Sequence, residues 1–168
     1  NIGTKSEDGK ALIKEDGGFR NPYSLETLKF ELDKRAGLIP PEQVTNKMDS
    51  MDVFSFAITK VPKALKKLCS EFEINIDDID NLYLHQANKL ILENIAKRMK
   101  VDMNKVPISL YEYGNTTSAS IPLTIISKNS GNSNVSEKVL ACGFGTGLAW
   151  GAVYFEIENI VCPQIELL

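Results

Sequence analysis

The stretch 52–72 constrains this chain more than any other. Phe54, Ile58, Val61, Leu65, Leu68 and Phe72 recur at helical spacing, and Ala57, Ala64 and Cys69 broaden that face. Lys60, Lys63, Lys66 and Lys67 stay mostly off it. The pattern predicts an amphipathic helix whose apolar stripe must be buried against a second layer. Pro62 lacks a backbone donor and predicts a kink unless a local adjustment intervenes.

The second layer comes from the carboxyl-terminal half of the chain. "IDNLYLH" (79–85) is short, apolar and bounded by Asp-rich sequence, and reads as a strand. "ANKLILENIAKRMK" (87–100) suits a helix that turns Leu90, Ile91, Ile95 and Met99 to the core. "VPISLY" (106–111) reads as a further strand, and "NTTSASIPLTIISKNS" as a loop entering a helix. Asn115 or Thr116 is placed to cap that helix, and Pro122 is acceptable near its first turn. Val139–Cys142 suit a buried strand, Gly143, Gly145 and Gly147 a sharp loop, and Ala149–Ile157 another strand. Alternating strands and helices argue for an α/β layer arrangement.

The first 47 residues are less ordered as a pattern. Residues 1–24 read as irregular surface with a short strand at 10–14. A helix is expected over 23–37 from Ser24, stopped by Gly37 and the Pro40-Pro41 pair. The region reads as a surface excursion within one domain spanning 1–168.

With 168 residues, 43% of them hydrophobic, the chain is long enough for one real core. Nineteen Lys and Arg against 22 Asp and Glu give no basic field for nucleic acid. No run of 18 apolar residues predicts a membrane span, and a cytoplasmic setting is the expectation. Cys69, Cys142 and Cys162 are too scattered for a disulfide framework or a metal knot. Asp77, Asp78 and Asp80 lack calcium-loop spacing, so a metal site is not expected.

Three places carry chemistry. His85, the only histidine, sits at a strand end, where it can face a crevice and donate to developing negative charge. A locally satisfied, partly buried ring is the alternative. Asn115, in "YGNTTSAS", carries an amide that can stabilise an oxyanion, or simply builds a turn. "GFGTG" does not match a dinucleotide fingerprint; it reads as a tight β–β loop beside a cavity. Lys97, Arg98 and Lys100 form a small basic patch suited to a solvated face or an acidic partner.

The strings "HQANKLILENIAKRM" (85–99), "YGNTTSASIPL" (113–123) and "GFGTGLAWGAVYF" (143–155) together resemble the β-ketoacyl-[acyl-carrier-protein] synthase III family. "MDVFSFAITKVP" (51–62) resembles the helix before that family's catalytic histidine segment. The resemblance implies the carboxyl-terminal half of a thiolase-like fold, with a mixed β-sheet and packed helices. The amino-terminal half, which carries the nucleophilic cysteine, has no counterpart here, and none of the three cysteines matches the nucleophile motif.

The resemblance also implies roles. His85 and Asn115 match the catalytic histidine and asparagine, which stabilise the enolate formed as a malonyl thioester loses CO₂. Gly145 and Phe144 are expected to shape the oxyanion region or pocket, with Leu148 beside them. Lys97 and Arg98 are candidate docking residues for acyl carrier protein. Malonyl and acyl thioesters are the expected substrates, with phosphopantetheine arriving as part of the substrate, and a homodimer is expected at full length. The chain by itself is expected to be inactive. A non-catalytic carrier-binding or assembly module, or another thiolase-superfamily condensation, is the alternative. Ser50 stands where many relatives place a glycine, which bears on substrate choice.

Overall fold

The computed structural model describes residues 1–5, 11–14 and 46–165 without interruption, and isolated positions between them. Most of the expected 23–37 helix, with Gly37 and the Pro40-Pro41 pair, lies outside the described residues.

The elements in chain order are β1 (Ile2–Thr4), β2 (Leu12–Lys14), β3 (Asn46–Met48), α1 (Ser50–Glu71), β4 (Asn81–Leu84), α2 (Lys89–Met99), the single turn α3 (Leu110–Tyr113), α4 (Ser120–Lys128), β5 (Asn132–Gly145) and β6 (Ala149–Cys162). Four strands form one mixed sheet in the order β1-β6-β5-β4. β4 runs parallel to β5, β5 antiparallel to β6, and β6 antiparallel to β1. β2 and β3 form a separate two-stranded ribbon, tied to the start of α1 by the Asp49 N–H donating to the Ala11 carbonyl at 2.7 Å.

α1 begins where Asp49 caps it, its carboxylate accepting from the Met51 and Asp52 amides at 3.0 and 2.9 Å. It then runs for 22 residues with Pro62 inside it. Pro62 does not end the helix: it is itself buried, and the packed face offsets its one missing hydrogen bond. That face is rotated from the expected stripe. Phe56, Ala57, Val61, Ala64, Leu65 and Leu68 are buried, Phe54 and Ile58 only partly, and Phe72 caps the helix, 69% exposed. Asn88 caps α2 through the Ile91 amide at 2.9 Å. Its core face uses Leu92 in place of Leu90, which is 58% exposed.

One sheet face, with Leu82, Leu84, Leu140, Cys142 and Ala152, packs on α1 and α2. The opposite face, with Tyr83, Val139 and Ala141, packs on Ile121 and Ile125 of α4. This three-layer α/β arrangement has the mixed sheet and packed helices expected from the sequence. The cluster under α4 extends to Phe155 and Ile157 of β6, while Ile2 and Val153 on the same face stay open. The far end of α4 is latched to the sheet. Tyr83 Oη donates to Glu137 Oε2 at 2.9 Å, and Lys128 Nζ meets Glu137 Oε1 at 2.6 Å. Burial pushes the Glu137 carboxyl up, but Lys128 and Tyr83 outweigh it and hold it below its usual value.

Three expectations differ in detail. "VPISLY" is no strand; it is irregular and ends in α3. Ile2–Thr4 is an edge strand, where irregular surface is expected. β5 starts at Asn132, well before Val139, and ladder pairing continues through Gly143 and Gly145 as far as Gly145↔Ala149. The turn is therefore only Thr146–Leu148, and Gly147 permits it with φ 73°.

Candidate functional site

His85 is the first residue after parallel strand β4, at its carboxyl end, where side chains face the crevice above the sheet. Its amide donates to the Cys142 carbonyl at 3.0 Å, so its backbone still belongs to the sheet. Gln86, fully buried, fixes the turn after it. Its Nε2 donates to the Leu84 carbonyl at 2.9 Å and its Oε1 accepts from the Ser109 amide at 3.0 Å. The half-buried imidazole meets Ser120 Oγ at Nδ1, 2.8 Å away, and the Phe144 ring edge-on at 5.3 Å and 89°. Burial lowers its pKa below 6.5, against an opposing contact with the Thr117 backbone. Burial thus favours the neutral ring.

Asn115 reaches the same place from the loop before α4. Gly114, at φ 66°, turns the chain after α3, and its N–H donates to the Leu110 carbonyl. Asn115 Oδ1 then accepts from the Thr117 amide at 3.0 Å. The amide oxygen is thus occupied by the turn, while Nδ2 keeps two donors. Turn-building and oxyanion donation, alternatives in the sequence, are compatible in one side chain. Thr117 is held at φ 52°, a strained position for a β-branched residue, of order 1–3 kcal/mol. That strain sits between Asn115 and the histidine.

Two cavities meet at these residues. One, about 360 Å³, is lined by His85, Asn115, Ser120, Ile121, Phe144 and Gly145 among others. The second, about 520 Å³ and more apolar, adds Met51, Val53, Phe54, Leu90 and Ile91. His85, Asn115, Phe144 and Gly145 border both. Ser50 lies on the wall of the larger one. A Cβ at Gly145 would meet nothing within 4 Å, so this chain's own packing does not require glycine there. Leu148, 1% exposed, belongs to the core and lines neither cavity.

The model of the family described as 3-oxoacyl-[acyl-carrier-protein (ACP)] synthase III C terminal matches residues 69–157. The chain belongs to this family. A beta-ketoacyl-[acyl-carrier-protein] synthase III of Acaryochloris marina is 41% identical over 113 residues, 67% of this chain and 34% of that protein. One from Streptococcus pneumoniae is 42% identical over 114 residues, 66% of this chain and 35% of that protein. Among solved structures, a 3-oxoacyl-(acyl-carrier protein) synthase from Burkholderia xenovorans superposes with a TM-score of 0.77 at 30% identity. That match covers 97% of this chain and 45% of the Burkholderia chain. The chain thus spans less than half the length of the relatives it matches.

Within this synthase III carboxyl-terminal fold, Lys97 and Arg98 lie in the last turn of α2, exposed and away from both cavity walls. The structure does not bring them to the histidine. Ser120 and Gln86 are the site residues that sequence reasoning missed. Ser120 lies inside the 113–123 string, but nothing local marks its pairing with a ring 35 positions earlier. Among the described residues no group of three His, Cys, Asp or Glu is placed to hold a metal. No helix among them is long and apolar enough to cross a membrane.

The cysteines are poor nucleophiles where they stand. Burial pushes the Cys142 thiol up to about 12, and it also raises Cys69. Cys142 and Cys162 are at most 1% exposed. Native alkylation with iodoacetamide, read by peptide mass spectrometry, should leave both unmodified while the unfolded protein reacts at both. Fast native labelling of Cys142 would contradict this placement.

Proposed function

We propose that this chain supplies the enolate-stabilising half of a β-ketoacyl-acyl-carrier-protein synthase III-like enzyme. The observation that carries the reading is the convergence of His85 and Asn115, from separate elements, on the shared wall of two joined cavities. In the reaction envisaged, an acyl group first passes from its thioester to a cysteine sulfur of the amino-terminal half, releasing the carrier thiol. A malonyl thioester on acyl carrier protein then loses CO₂. The electron pair of the broken C–C bond moves into the thioester carbonyl, and its oxygen becomes an enolate. His85 Nε2–H and Asn115 Nδ2–H donate to that oxygen, where preorganised donors stabilise the charge that develops in the transition state. The enolate carbon attacks the acyl-enzyme, a C–C bond forms, and the cysteine thiolate leaves.

Phe144 holds the imidazole edge-on, and Gly145 borders the same two cavities. The larger apolar cavity suits the pantetheine arm, which enters with the substrate; no resident metal or cofactor is needed. Lys97 and Arg98 serve as a docking surface for the acidic carrier. The intact protein acts as a cytoplasmic homodimer, and the 168-residue chain alone is inactive because it lacks the nucleophile.

The test is a condensation assay on the intact gene product with acyl and malonyl thioesters. A 3-oxoacyl product with one CO₂ released per bond supports the reading. Carrier binding without product would replace it with a carrier-binding module, a reading favoured by the absence of a reactive cysteine among the three present.

A further inference from the structure

The hydroxyl beside the histidine bears on which ring nitrogen carries the proton. A neutral imidazole carries one proton, and Nδ1 and Nε2 compete for it. Nδ1 lies 2.8 Å from Ser120 Oγ, and either atom can be the donor. If Nδ1–H donated to Oγ, the serine hydroxyl would need another acceptor for its own proton. Ser120 is 1% exposed, and among the described residues its Oγ has no other hydrogen-bond partner. That proton would have no protein acceptor, a cost the reverse arrangement avoids. With Oγ–H donating to Nδ1, both groups are satisfied and the ring proton must sit on Nε2.

We propose that Ser120 is a positioning residue that fixes His85 as the Nε2–H tautomer, with its donor turned to the cavity. The serine is itself held in place. Its carbonyl accepts from Thr124 Oγ1 at 2.6 Å, and Thr124 Oγ1 meets Ser109 Oγ at 2.7 Å. The Ser109 amide donates to Gln86, the residue after the histidine. A closed buried circuit therefore links α4 to the turn that carries His85, so the serine and the ring keep one relative position. A carboxylate in place of Ser120 would demand a proton on Nδ1; a hydroxyl that donates leaves a neutral ring with a donor at Nε2. The catalytic value of this device rests on the enolate-stabilising role of His85.

The test is nitrogen-15 NMR of histidine-labelled intact gene product in its resting state, at a pH above the ring's titration in the same spectra. A His85→Asn spectrum assigns the signal, and no turnover is needed. The expected result is a protonated Nε2 and a bare, hydrogen-bonded Nδ1. Ser120→Ala should shift the ring toward Nδ1–H, because the donor that occupies Nδ1 is gone. A wild-type ring protonated at Nδ1, or the same tautomer ratio in Ser120→Ala, overturns the proposal. In the condensation assay Ser120→Ala should lower kcat about tenfold, the size of one neutral hydrogen bond, and move KM for the malonyl thioester less than about twofold. If the tautomer shifts as expected and kcat does not change, the positioning by Ser120 stands and the enolate role of His85 fails.

Discussion

Replacing His85 by alanine in the intact gene product is expected to lower condensation by ~10²–10³-fold, the usual cost of removing one oxyanion donor. Acyl transfer to the nucleophilic cysteine should change far less, because the described geometry gives His85 no role until the malonyl carbonyl is in place. Asn115→Ala should act on the same step. Its loss should be somewhat more complex, since Asn115 Oδ1 also holds the Thr117 amide and thereby the strained turn. Single-turnover measurement of acyl-enzyme formation and of CO₂ release separates the two steps. Equal loss of both in His85→Ala would mean that the variant disrupts the whole site. Unchanged CO₂ release would remove His85 from the chemistry.

The second large effect concerns the strand that presents the histidine. Leu84 is fully buried, pairs in register with Cys142 and packs in the core that α1 and α2 cover. Leu84→Ala should cost about 2–5 kcal/mol, from lost transfer energy and the cavity left behind. Leu90→Ala, although a leucine of the adjacent helix, should fall within about 0.5 kcal/mol of wild type because its side chain is largely in solvent. Urea unfolding of the intact protein measures both. Similar losses in the two variants would contradict an α2 that turns Leu92 inward and Leu90 outward.

That Leu90–Leu92 exchange illustrates what the sequence could and could not convey. Helical spacing located α2 and its apolar character, but a stripe of leucines and isoleucines does not choose between two faces separated by one residue in the turn. Contact with the sheet decides it, leaving Leu90 on a cavity wall and Leu92 in the core. Pro62 was legible as a broken hydrogen bond but not as a tolerated one, because the compensation comes from the layer beneath α1. "VPISLY" alternates like a strand, yet among the described residues no strand pairs with it to complete a ladder, so it stays irregular. β5 extended beyond its apolar stretch for the opposite reason: β6 pairs with its polar beginning.

The site was legible where chemistry resides in residue type and order. His85, Asn115, Phe144 and Gly145 stand in separate strings, and the fold brings all four to one wall. Its supporting shell was not legible. A serine, a threonine and a glutamine have many ordinary uses, and only the folded distances join Ser120, Thr124, Ser109 and Gln86 behind the ring. Lys97 and Arg98 were visible as charge, but their distance from the cavity is a matter of helix length and rotation.

The most direct measurement is CO₂ release from a malonyl thioester by the intact gene product after its nucleophilic cysteine has been blocked by alkylation. With enolate stabilisation housed in His85 and Asn115, decarboxylation should continue without condensation and should collapse in His85→Ala and Asn115→Ala. No CO₂ release from the blocked enzyme, or release indifferent to both substitutions, would contradict the assignment of that step to this chain.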